Sequence, residues 1–204
     1  MKKIIIITMA FLMFLLCSCS SSVKEETAEP VTDNNSEEQP SENNKEEGKT
    51  LVVVFSATGN ALEVAKKIVS ITGADLYEIK AKEEYSSDDL NWHDNNSRTT
   101  IEQNDKSVRP EIGSETVDLD GYTTVYVGYP IWWGEEPRIM DTFVESYDFT
   151  GMKMIPFCTS SSSGMGRSGK NLDEHAGSGD WLDGKRFSEH AAEEEVRSWI
   201  EGLK

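Results

Sequence analysis

Leu51-Val52-Val53-Val54-Phe55-Ser56-Ala57-Thr58-Gly59-Asn60-Ala61 joins an unbroken apolar run to a short turn of hydroxyls and glycine. The run is continuous rather than alternating, which is the pattern of a strand buried on both faces in a parallel sheet. Beyond the turn, Leu62, Val64, Ala65, Ile68 and Val69 make one broad apolar face at helical spacing, and Gly73 follows as a stop. The spacing predicts a helix over 60–70, so the turn links a first strand to a first helix. Such a turn aims backbone N–H groups and a helix N-terminus at one point, a ready site for a phosphate. It contains no lysine, unlike a nucleotide-hydrolysing loop. The donors would be neutral: the hydroxyls of Ser56 and Thr58, the Asn60 amide, and the N–H groups of the loop around Gly59 and Ala61.

Outward from this stretch, strands and helices alternate. A short strand is expected at 75–79, a third at 123–128, a fourth at 153–158 and a fifth at 180–187, the last made irregular by Gly184. Helices are expected at 137–147, where Ile139, Met140, Phe143 and Val144 form the apolar face, and in a short piece at 170–175. Ser188 reads as the N-cap of a last helix that reaches Ile200, with Ala192, Val196, Trp199 and Ile200 at helical spacing. The stretch 80–121 is polar and irregular, long for a loop without structure of its own. Its Tyr85, Leu90, Trp92, Ile101 and Ile112 predict a partly helical excursion on the domain's edge; Trp92 and Tyr85 either anchor it in the core or cover a ligand. This pattern predicts an α/β fold, an open parallel five-stranded sheet with helices on both faces. In such sheets ligands sit beyond the carboxyl ends of the strands, where strand order reverses. The turns after strands one, three and four would meet there.

Those three turns carry a resemblance. Ser56 to Asn60 resembles the FMN-phosphate loop of flavodoxins, commonly (S/T)-x-T-G-N-T, with Ala61 in place of the last hydroxyl. Tyr129-Pro130-Ile131-Trp132-Trp133-Gly134 and Pro156-Phe157-Cys158-Thr159-Ser160-Ser161-Ser162-Ser163-Gly164 follow in the order that the flavodoxin family shows. The Pro-Ile-Trp-Trp-Gly run is similar to that of flavodoxin-like lipoproteins and NAD(P)H-dependent oxidoreductases. The resemblance covers 50–203 and implies FMN as cofactor. Tryptophan can stack on the flat isoalloxazine ring and exclude water; Trp132 or Trp133 suits this, with at least one of the two facing the core. The resemblance also implies a peptide flip in this loop, which Gly134 eases. Thr159, Ser160, Ser161, Ser162 and Gly164 would offer N–H groups and hydroxyls to the pyrimidine edge. Three functions follow as alternatives: electron transfer to a redox partner protein, an FMN-dependent oxidoreductase that uses NAD(P)H to reduce quinones or similar small-molecule acceptors, or a non-redox binding module on the same fold. Anionic surroundings would lower the flavin potential.

The start of the chain predicts its location. Lys2 and Lys3 precede an apolar run that ends at Cys17, too short to span a bilayer and suited to a signal peptide over 1–18. Leu16-Cys17-Ser18-Cys19 resembles the bacterial lipobox, which implies cleavage before Cys19 and a lipid on it; the alternative is an ordinary cleaved signal with two incidental cysteines. Residues 19–48 hold almost no large apolar side chains, and 24–48 hold nine acids against two lysines. That composition predicts a disordered tether reaching about 30 Å, which would hold a domain at 49–204 off the outer face of the plasma membrane. These counts leave −12 of the chain's −17 to the domain. Such an acidic surface repels nucleic acid phosphates.

Other motifs are weaker. Gly164-Met165-Gly166-Arg167-Ser168-Gly169-Lys170 matches G-x-G-x-x-G, yet it follows the fourth strand, so it reads as a glycine-rich turn before a short helix. His93, His175 and His190 have no His or Cys partner at ligand spacing, and no metal site is expected. Cys158 at a strand end reads as an apolar filler.

Overall fold

The computed structural model describes residues 48–203. The expected signal peptide, Cys19 and the tether lie outside the described residues. Within them, no helix is long and apolar enough to cross a membrane.

Strand β1 (Lys49–Phe55) forms at the predicted apolar run. Side chains alternate across a sheet. Leu51, Val53 and Phe55 enter one core cluster, with Ile139, Met140 and Phe143. Val52 and Val54 enter a second, with Val64, Ile68 and Val196. Both faces are therefore covered, as the continuous run requires. Helix α1 (Asn60–Thr72) ends at Gly73, whose φ of 72° suits glycine and whose N–H reaches the Val69 carbonyl at 2.8 Å. Strand β2 (Asp75–Ile79), helix α2 (Arg98–Asn104), strand β3 (Tyr122–Pro130), helix α3 (Arg138–Glu145), strand β4 (Lys153–Thr159) and helix α4 (Ser168–Ala176) follow.

The expected fifth strand is split into β5 (Asp180–Trp181) and β6 (Lys185–Phe187). Sheet order is β2-β1-β3-β4-β5, with β6 also on β4, and every pairing is parallel. The split has a local cause. β5 pairs with Lys153 and Met154, and β6 with Phe157 to Thr159. Pro156 lies in the gap and has no N–H to offer an edge strand. Its carbonyl would be 2.4 Å from a Cβ on Gly184, so only glycine passes there.

Helix α5 (Glu193–Glu201) corrects the predicted N-cap. Ser188 instead closes a turn, its carbonyl accepting from Ala191 N–H at 3.2 Å. The helix starts later, where Glu193, Glu194 and Glu195 place negative charge in its first turn. The 80–121 excursion contains α2, whose N-cap Ser97 accepts from Thr100 N–H. An isolated antiparallel bridge, Ala81 with Ile112, closes the excursion back on itself.

Candidate functional site

β1, β3 and β4 are parallel neighbours, so the turns that follow them open at one edge of the sheet. In the first turn Gly59 has φ 88° and sits at the N-cap of α1 with no side-chain cap bond. The first-turn N–H groups therefore keep free donor capacity. Ala61 points its methyl into the core, leaving only its backbone for the turn. The Asn60 amide donates to Glu189 Oε2 at 3.3 Å, a contact that the sequence did not suggest. Thr58 is exposed.

The second turn is a tight hairpin. Trp132 and Glu135 exchange two backbone bonds of 3.0 Å around Trp133 (φ 49°) and Gly134 (φ 83°). Two central residues at positive φ define a type I′ turn. Glycine suits this conformation, whereas a bulky side chain there is strained. Trp133 is the one non-glycine at positive φ among the described residues. Pro130 and Ile131 fix the hairpin's base: Pro130 pairs with Thr159, and Ile131 N–H donates to the Thr159 carbonyl at 2.9 Å.

The two tryptophans separate. Trp132 packs edge-on against Phe55 (centroids 5.6 Å apart) and Tyr85 (5.3 Å). Trp133 is 44% exposed and is the ring left for stacking. Beside it lies a slot of about 280 Å³ lined by Thr58, Leu90, Trp92, Ile131, Trp132 and Trp133. Its mostly apolar walls suit a flat ring, and Thr58 connects it to the first turn. Trp92, 67% exposed, borders the slot and is not a core anchor, whereas Tyr85 packs on the core. A larger hollow of about 450 Å³ sits beside the split edge strand, lined by Pro156, Lys170, Trp181 and Gly184 among others. Thr58 and the two tryptophans are not among its lining residues, so the slot is the better candidate.

The third turn starts at buried Thr159 and exposes Ser161, Ser162 and Gly164. The Ser160 hydroxyl donates to the Ser163 carbonyl. Arg186, on β6, grips the turn: Nε donates to Ser160 Oγ at 3.1 Å, and Nη2 donates to the carbonyls of Ser160 and Ser161. The glycine-rich segment beyond it is a turn leading into α4, with Gly166 at φ 57°; Arg167 pairs with Glu174 at 3.2 Å on the surface.

A buried charged cluster stands behind the hairpin. The Gln103 amide donates to the carbonyls of Trp132 and Glu136, both at 3.1 Å, so α2 ties down both ends of the turn. Arg138, 1% exposed, donates to the Gln103 carbonyl at 3.2 Å and to Glu135 at 2.7 Å, and lies 3.4 Å from Glu136 and 3.5 Å from Asp141. Asn171 from α4 donates to Glu136 at 3.1 Å. Burial pushes the Glu136 carboxyl up to about 7, with neighbouring Asp141 adding to the rise and Asn171 and Arg138 opposing it. Burial likewise raises Asp141. Glu136, Asp141 and His175 bring potential ligand atoms within 4.8 Å of one another. The Arg138 guanidinium already lies against both carboxylates, which disfavours a cation there. His175 Nδ1 lies 3.0 Å from Glu145, and burial pushes the Cys158 thiol up to about 12.

Sequence reasoning missed Gln103, Glu136, Arg138 and Arg186. Arg138 and Asp141, oppositely charged at i,i+3 on α3, were a usable signal. The bonds of Gln103 to the hairpin, of Asn171 to Glu136 and of Arg186 to the serine turn join residues 25 or more positions apart, with no sequence mark.

A parallel sheet of this order with its loops at this edge defines the flavodoxin fold. The model of the family described as Flavodoxin matches residues 49–203, and the chain belongs to that family. Among solved structures, a Bacteroides uniformis protein provisionally described as a flavoprotein is 41% identical (TM-score 0.72) over 76% of this chain and 98% of its own. A Bacteroides eggerthii protein with the same description is 36% identical (TM-score 0.71) over the same shares. A Lactobacillus acidophilus flavoprotein in complex with FMN is 24% identical (TM-score 0.57), over 75% of this chain and 99% of its own, and shares the fold. No curated protein sequence matches the chain.

Proposed function

We propose that the domain binds FMN across the three turns and carries electrons between partners. The observation that carries this is the slot itself: Thr58 of the uncapped α1 turn and the exposed ring of Trp133 both line it. A phosphate at the helix N-terminus and a flat ring in the slot would share one ligand. The FMN complex of the Lactobacillus acidophilus relative supports the same cofactor. Bound FMN would supply one- and two-electron chemistry; the chain's part is to hold, stack and screen it.

The test compares FMN with riboflavin, which lacks the phosphate. Thr58→Ala should weaken FMN by about 1.5–3 kcal/mol, the scale of a hydrogen bond to a charged group, and leave riboflavin unchanged. Trp133→Ala should weaken both ligands alike, by roughly 0.5–1.5 kcal/mol beyond the lost buried area. If Thr58→Ala weakens both ligands equally, the first turn does not hold the phosphate.

The location belongs to the same reading. Residues 1–18 act as a signal peptide, and lipid on Cys19 with the acidic tether keeps the domain at the outer face of the plasma membrane. Support comes from the Leu-Cys-Ser-Cys sequence behind the apolar run. Cys19→Ala should move the protein from the membrane fraction to the soluble one; unchanged retention would rule out the anchor.

A further inference from the structure

We infer that Arg186 is a positioning residue that aims the Ser161 and Ser162 N–H groups at the carbonyl edge of the flavin and favours its reduced state. This rests on the FMN reading above. On β6, Phe187 faces the α1–α5 core, so strand alternation turns Arg186 to the opposite side, beside Cys158 in the register. There the guanidinium takes three acceptors from one turn: Ser160 Oγ at 3.1 Å, the Ser160 carbonyl, and the Ser161 carbonyl at 2.9 Å.

A trans peptide is planar, with its N–H opposite its carbonyl. Holding the carbonyls of Ser160 and Ser161 against Arg186 therefore points the N–H groups of Ser161 and Ser162 the other way. Neither N–H has a hydrogen-bond partner among the described residues, and both residues are exposed. Two adjacent free donors make a cradle for a carbonyl or an anion. The charge matters as well. Among the described residues no carboxylate lies within ion-pair distance of Arg186, in a chain of net charge −17. An unneutralised cation behind the two donors strengthens their pull on negative charge. Reduction of a flavin places negative charge on its pyrimidine edge, so the turn should hold the reduced form more tightly than the oxidised one.

A purely structural clasp predicts something different: equal loss of affinity in both oxidation states. The experiment uses Arg186→Gln and Arg186→Lys in the full chain, with folding checked by thermal melting. Dissociation constants are measured for oxidised and dithionite-reduced FMN and riboflavin, alongside the midpoint potential. Arg186→Gln should weaken oxidised flavin about threefold and reduced flavin about thirtyfold, the same for FMN as for riboflavin. The tenfold difference corresponds to a potential lower by about 30 mV for a two-electron couple. Arg186→Lys keeps the charge without the fork, so it should retain part of the potential. Equal weakening in both states with an unchanged potential would overturn the inference while leaving the FMN reading intact. A wild-type chain with no flavin affinity overturns both.

Discussion

Replacing Arg138 with leucine should lower stability at pH 8 by about 3–5 kcal/mol, the usual cost of breaking a buried ion pair from one side. The guanidinium is 1% exposed and faces Glu136 (1%) and Asp141 (0%), two carboxylates with almost no access to water. Asp141 keeps a second cation, Arg109, at 3.9 Å. Among the described residues, Glu136 has no other ion-pair partner, so its ionised form bears most of the loss. Burial already raises both carboxyls above their ordinary values, and removal of the guanidinium raises them further. Such groups fold more readily when protonated, so the variant should regain stability as pH falls. Urea melts at pH 5.5 and pH 8 measure this. A loss of under about 1 kcal/mol at pH 8 would show that the cluster is not held by Arg138.

Glu136→Gln should act in the opposite direction. In the wild-type chain the carboxyl stands at about 7, above its ordinary value near 4.5. Between those values the folded state binds more protons than the unfolded one, so stability falls as pH rises through the window. It is highest below about 4.5 and levels off above about 7. The span amounts to about 3 kcal/mol, taking 1.36 kcal/mol per pKa unit. Glutamine keeps the shape and an acceptor for Asn171 but does not ionise. The variant should match wild type near pH 4.5, exceed it at pH 8, and show a flatter curve between. Parallel curves for the two proteins would mean that another group sets the slope.

The backbone plan was legible because it is written locally. The unbroken Leu51–Phe55 run, the Gly59 turn and the Gly73 stop each act on their own neighbours, and each appears where the pattern put it. Ser188 failed for the same reason: a good N-cap residue was at hand, but a tighter turn and three glutamates further on set the helix start. The choice between Trp132 and Trp133 was not legible. It depends on Phe55 and Tyr85, distant in sequence, reaching one ring and not the other. The same holds for Gln103, which gives the long excursion a purpose by tying down both ends of the hairpin. Asn60 was read as a phosphate donor; its amide gives one N–H to Glu189 and carries a second that can serve a phosphate.

The split edge strand bears on how the molecule behaves in a crowd. A long, flat outer strand offers unpaired N–H and C=O groups to any extended chain that passes. Here that outer run is cut into segments of two and three residues, with Leu182, Asp183 and Gly184 between them. At the far edge β2 is only five residues long and carries Asp75 and Glu78. Neither margin gives a second copy a continuous template, which works against edge-to-edge pairing of sheets at high concentration.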